Sequence, residues 1–286
     1  MHIDAFFDPR TWTLTYLVSD PATRDAVVID SVLDFDPATG RVWTESIDRL
    51  LAIVGMRDLT LRASLETHSH ADHLSGAHTL RERLGIPVAI GSGITRVQQT
   101  FAPMFGRGPE FPCDGSQFDV LARDGEELRL GSLVARALHT PGHTPACVTW
   151  HIGDALFTGD ALFMPDSGVG RCDFPDGSAD ALYASVHERI YAFPDDTRIF
   201  VGHDYQPGGR PPACETTVGA SKGGNIQLPA GRARGDFVAA RTARDKTLAP
   251  PRLLFYSIQV NTAAGRLPAP NAEGRRFLTQ PITVAT

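Results

Sequence analysis

Eight residues, Glu66-Thr67-His68-Ser69-His70-Ala71-Asp72-His73, hold three imidazoles and two carboxylates. Neutral imidazole nitrogens and carboxylate oxygens are common ligands of divalent first-row metals. In extended backbone alternate side chains share a face, so His68 and His70 are expected to point together. A turn after them would aim Asp72 and His73 at a neighbouring position. The segment therefore offers parts of two adjacent sites, and residues from elsewhere must complete either one.

Three later segments offer those residues: Pro141-Gly142-His143, Thr158-Gly159-Asp160 and Gly202-His203-Asp204. Each follows a strand-like run and places a ligand-type residue beside glycine, which lets backbone approach closely. Five of the ten histidines, His68, His70, His73, His143 and His203, fall in the four segments. His2, His78, His139, His151 and His187 have no companion motif and read as ordinary core or surface residues.

The runs between these segments must position them. Residues 3–7, 12–18 and 26–29 read as strands, with turns at Asp8-Pro9 and Asp20-Pro21. Ile47, Leu50, Leu51 and Val54 recur at helical spacing, with Thr44 as the expected cap and Gly55 near the end. Residues 59–65 form a strand that delivers the histidine segment, and 74–84 a helix that stops at Gly85-Ile86-Pro87. After residues 88–90 and a Gly/Pro-rich stretch, strands return at 127–130, 133–138, 148–151 and 155–158. A helix over 179–193 carries Leu182, Val186 and Ile190 on one face behind Ser178 as cap. A short strand at 198–201 then leads to His203-Asp204-Tyr205. Strands followed by a helix, laid down twice, predict an α/β chain folded as a four-layer αββα sandwich, with helices outside two facing sheets. Residues 1–205 would make this body. Residues 206–286, rich in Gly, Pro and Arg with a helix near 236–248, would form an extension wrapping the same domain.

The composition is that of a globular protein, 42% hydrophobic and 21% charged. No apolar run approaches the ~20 residues that span a bilayer. Met1-His2-Ile3-Asp4 lacks the basic segment and apolar core of a secretory signal, so a cytoplasmic protein is expected. The net charge is −6, yet residues 1–204 carry 16 basic and 29 acidic residues, and 205–286 carry 11 and 4. The acidic total argues against nucleic acid as the main partner. The basic tail could receive a small anionic ligand or pair with the acidic body. Four scattered cysteines form neither a disulfide framework nor a zinc knuckle, and Cys113 and Cys214 are expected to be buried.

His68-x-His70-x-Asp72-His73, then His143, Asp160 and His203 in order, resembles the metallo-β-lactamase superfamily over most of residues 1–205. The resemblance implies the αββα fold with a metal site at the sandwich edge, and no particular reaction. Finer motifs point to one branch. Gly170-Arg171-Cys172-Asp173-Phe174 is similar to the G-R-x-D-F of persulfide dioxygenases. His203-Asp204-Tyr205 is similar to their H-D-Y, where glyoxalase II thiolesterases show H-E-Y. Residues 182–190 resemble their helix, and residues 215–226 and 257–261 resemble an extended bacterial branch of these sulfur-oxidising proteins. Ala146 departs from the glycine that many relatives carry there, without removing a ligand.

The resemblance implies one Fe(II) per chain, held by His68, His143 and Asp160, and oxidation of glutathione persulfide by O2 to sulfite and glutathione. His70, Asp72, His73 and His203 would support those ligands or mark a second metal position. Tyr205 would donate a hydrogen bond to the substrate, Asp173 would support a histidine, and Arg171 and Lys222 would meet glutathione carboxylates. Cys172 is expected as a packed thiol. A sulfurtransferase partner and a homodimer are compatible with this chemistry. The rival is a glyoxalase II-type thiolesterase with two zinc ions bridged by Asp160, in which metal-bound hydroxide attacks a thioester. The spacing suits both. A β-lactamase is a weaker reading without a secretion signal. A non-catalytic metal-binding protein is weaker still, because it leaves an intact ligand series beside a Gly-rich rim unused.

Overall fold

Side-chain alternation organises the first sheet of the computed structural model, which describes residues 1–282. Strands β1 (His2–Asp8), β2 (Thr13–Ser19) and β3 (Asp25–Ile29) pair antiparallel in that order. Along β2, Leu14, Tyr16 and Val18 face one way and Leu17 the other; along β3, Val27 and Ile29 oppose Ala26 and Val28. Both strands are buried throughout, so each face needs a cover. The first set packs between the sheets against Trp150 and Phe157. The second lies beneath helices.

Those helices occupy the crossovers. After β3 come β4 (Val32–Asp36), β5 (Arg41–Trp43), α1 (Glu45–Met56), β6 (Thr60–Leu65), β7 (Leu74–Ser75), α2 (Ala77–Leu84), β8 (Val88–Gly91), α3 (Ile94–Phe101) and β9 (Val120–Ala122). The first sheet has the order β1-β2-β3-β6-β8-β9, with β3, β6, β8 and β9 parallel. Ile47 and Leu50 of α1 and Leu80 of α2 bury against Leu17 and Val28. The second sheet runs in sequence order through β10 (Glu127–Leu130), β11 (Leu133–His139), β12 (Val148–Ile152), β13 (Ala155–Phe157), β14 (Arg198–Phe200) and β15 (Glu215–Thr217). Helix α4 (Ala179–Ala184) precedes β14, and α5 (Val218–Gly224), α6 (Arg234–Asp245) and α7 (Leu254–Asn261) follow β15. The four-layer αββα sandwich is the expected one. No described helix is long and apolar enough to cross a membrane.

Several local expectations change. Thr44 makes no backbone cap; its hydroxyl donates to Asp48 (2.8 Å), while Asp34 accepts the Ser46 N–H (2.8 Å). Helix α2 begins at Ala77, because Leu74 and Ser75 pair with Leu33 and Val32 in a small sheet with β5. Ser178 does cap α4, accepting from the Ala181 N–H. That helix widens into a π-helical turn over Ser185–Ile190, where the Ser185 hydroxyl leaves the helix to donate to the Pro141 carbonyl (2.7 Å). Cys113 and Cys214 are partly exposed, correcting the expectation of burial, whereas Cys147 and Cys172 are buried.

Gly142 sits in the turn before His143 at φ +145°. A Cβ there would lie 2.5 Å from the Leu182 backbone nitrogen. Gly142→Ala should therefore destabilise the protein by about 2 kcal/mol or more, read as a lower midpoint in urea unfolding.

Candidate metal centre

Each ligand-type residue follows a strand end: His68 after β6, His143 after β11, Asp160 after β13 and His203 after β14. His68, His143 and Asp160 bring their donor atoms within 4.8 Å of one another. His70, Asp72 and His203 form a second such group. The two abut at Asp160, whose Oδ2 lies 3.5 Å from His143 Nε2 and whose Oδ1 lies 3.4 Å from His203 Nε2. His73 stands behind Asp72, its Nδ1 3.4 Å from that carboxylate and 3.2 Å from the Thr13 hydroxyl.

Hydrogen bonds fix which imidazole nitrogen faces the centre. Thr67 Oγ1 donates to Asp30 (2.7 Å), so it accepts from His68 Nδ1 at 3.0 Å and leaves Nε2 bare. His143 Nδ1 donates to the Arg171 carbonyl (2.7 Å), again freeing Nε2. Gly159, at φ +49°, admits Thr67: a Cβ there would fall 2.5 Å from the threonine hydroxyl. Burial pushes the His68 and His70 imidazolium forms well below the usual histidine range, keeping both rings neutral. Burial also lowers His203, but Asp72 and Asp160 outweigh it and raise that group.

The donor set fits a metal. His68 Nε2 and Asp160 Oδ1 are buried without a hydrogen-bond partner, an arrangement that is costly unless something else binds them. His70 Nδ1, both nitrogens of His203 and His73 Nε2 make no hydrogen bond either, while His70 Nε2 stands 3.1 Å from Asp30 Oδ1. By donor count the centre accommodates one ion or two.

Above it lies a cavity of about 370 Å³ with Asp72, His143 and Asp160 in its lining. Phe163, Phe174 and Leu253 give it apolar wall, and Arg171, Arg241, Arg244 and Arg252 give it positive charge. Tyr205 also lines it, 51% exposed and stacked on His203 with ring centroids 5.6 Å apart. Arg171 reaches the cavity but already holds Asp173 in a two-point pair (2.6 and 2.7 Å) and donates to the Ala249 carbonyl. Asp173 thus grips Arg171 and no histidine, a correction; the backbone of Arg171 supports His143 instead. Lys222 is also corrected. It lies outside the cavity lining, its ammonium held by Asp195 (2.6 Å). Burial raises the Cys172 thiol well above its usual range, in keeping with a packed, neutral sulfur.

Asn261 carries a role that the sequence alone did not assign. Its Nδ2 donates to the carbonyls of His70 and His73 (2.8 Å each), and its Oδ1 accepts the Ser75 N–H (2.7 Å). One side chain at the end of α7 thus ties the histidine segment. Its place in the 257–261 motif was the only signal. Likewise α6 clamps the cavity loop: Asp245, ion-paired with Arg241, accepts the Cys172 N–H (2.9 Å).

Residues 13–203 match the metallo-β-lactamase superfamily. The chain is 49% identical to the β-lactamase hydrolase-like protein of Agrobacterium fabrum over 99% of its own length, and spans 65% of that protein. It is 41% identical to the glyoxylase B2 of Dictyostelium discoideum, covering 98% of this chain and 96% of that one. With the human mitochondrial persulfide dioxygenase ETHE1 it shares 37% identity over 70% of this chain and 66% of that protein. The crystal structure of ETHE1 from Myxococcus xanthus superposes with a TM-score of 0.75 at 34% identity, covering 93% of this chain and all of that one.

Removing the Asn261 amide leaves two buried carbonyls and one N–H without their partner. Asn261→Ala should cost about 2 kcal/mol of stability and weaken metal retention although every ligand remains. Thermal unfolding, with metal analysis after dialysis, checks both.

Proposed function

The chain belongs to the metallo-β-lactamase superfamily, and we propose that within it the protein is a non-haem Fe(II) persulfide dioxygenase acting on glutathione persulfide. The observation that carries this reading is the self-contained group of His68, His143 and Asp160 beside the cavity. Two imidazoles and one carboxylate make the donor set of non-haem iron oxygenases. The likeness to the human and Myxococcus proteins supports it.

Fe(II) held by these residues supplies the one-electron chemistry that ground-state dioxygen requires. The chain supplies the rest. Thr67 and the Arg171 carbonyl hold the two imidazoles in one tautomer. Phe163, Phe174 and Leu253 give the reacting sulfur an apolar wall. Tyr205 presents its hydroxyl to the substrate, and the arginines favour an anionic thiol carrier. Glutathione persulfide, O2 and water give glutathione, sulfite and two protons. The S–S bond breaks, the terminal sulfur gives four electrons to O2, and the glutathione sulfur departs with a proton.

A dizinc thiolesterase is the second reading. It is favoured by the second donor group of His70, Asp72 and His203, with His203 Nε2 3.4 Å from Asp160 Oδ1, and by the Dictyostelium relative. Anaerobic metal analysis with O2-uptake assays on glutathione persulfide separates the two. One iron per chain and persulfide-dependent O2 consumption are expected; two zinc ions, no O2 uptake and thioester cleavage would overturn the proposal. His143→Ala should abolish iron retention, whereas Asp72→Ala should keep most of it. Equal loss would favour the dinuclear enzyme.

A further inference from the structure

Trp12 adopts φ +58° in the turn before β2, a left-handed conformation that bulky residues avoid and that costs about 1–3 kcal/mol. The backbone around it is fixed: its carbonyl accepts the Asp204 N–H (3.1 Å), and Thr13 bridges to His203. The ring contributes little to the fold. It is 44% exposed and outside the apolar clusters of the core. Instead it lines the cavity beside the metal centre, with its centroid 6.2 Å from that of Tyr205. A strained, half-exposed indole at a cavity is explained by what enters the cavity.

We propose that Trp12 is a specificity-determining residue, its indole stacking on the carrier portion of the substrate, the planar amide groups of a peptide thiol, while the sulfur reaches the metal centre. This deepens the persulfide reading and rests on a substrate whose sulfur rides on such a carrier. Arg244 and Arg252 line the same cavity and make no ion pair among the described residues, which suits the carboxylate ends of such a peptide.

The test pairs binding with kinetics on the iron-loaded protein. S-Methylglutathione, which has no sulfur to oxidise in this way, should quench tryptophan fluorescence saturably, and the quenching should vanish in Trp12→Phe. Trp150 is fully buried and Trp43 lies outside the cavity lining, leaving Trp12 as the responsive indole at the cavity. Trp12→Gly should raise KM about tenfold with kcat within twofold and metal content unchanged, while Trp12→Phe restores most of the affinity. Because glycine suits φ +58°, the Gly variant should melt no lower than wild type. Loss of metal and a lower melting point without a KM shift would overturn the assignment and make Trp12 structural. O2 uptake on persulfide without quenching sinks the Trp12 assignment alone. Quenching at Trp12 without O2 uptake keeps it and sinks the dioxygenase.

Discussion

A buried imidazole can bind a metal only when its proton sits on the nitrogen facing away, and at His68 that requirement falls on Thr67. The Thr67 hydroxyl can accept from His68 only because it gives its own proton to Asp30. Asp30 closes β3, Thr67 follows β6, and the two strands are parallel neighbours. Asp30 adopts φ +51° at that strand end, a strained conformation for a non-glycine residue. The sheet's register, the approach of Gly159 and the direction of one nitrogen lone pair are therefore parts of a single arrangement.

Much of this architecture was legible in the chain. The first ligand segment stood out because it crowds five donor side chains into eight residues, and the three later ones because each sets a donor beside glycine at the end of a strand-like run. The first strands stood out as strand-like runs punctuated by the turns at Asp8-Pro9 and Asp20-Pro21. Where legibility failed, the deciding partner was remote or the element was short. The β4–β5 hairpin offers three paired positions, too few for a periodic signal. Asp173 was open to several cations, and the fold placed Arg171 two residues away in bonding geometry. Asn261 is a common amide whose partners lie 188 and 191 positions earlier. Only folding brings them together.

The acidic body and basic tail resolve in both of the ways that charge alone allowed. Arg210 pairs with Asp166 and Asp204, and Arg234 with Asp180, so part of the tail is bound to the body. Arg241 is buried in its own pair with Asp245. Arg244 and Arg252 remain for the cavity. The same segment thus holds the second half of the chain in place and sets the charge that an entering molecule meets.

The tie made by Asn261 also has a consequence for the order in which the protein is built. A ribosome delivers every ligand-type residue by His203, well before it delivers Asn261. Until α7 emerges, the segment bearing His68, His70 and His73 lacks the amide that fastens it. A chain stalled or clipped in that interval would hold all the metal donors without the geometry to use them. The geometry of the histidine segment thus waits on a residue that follows every donor in the chain.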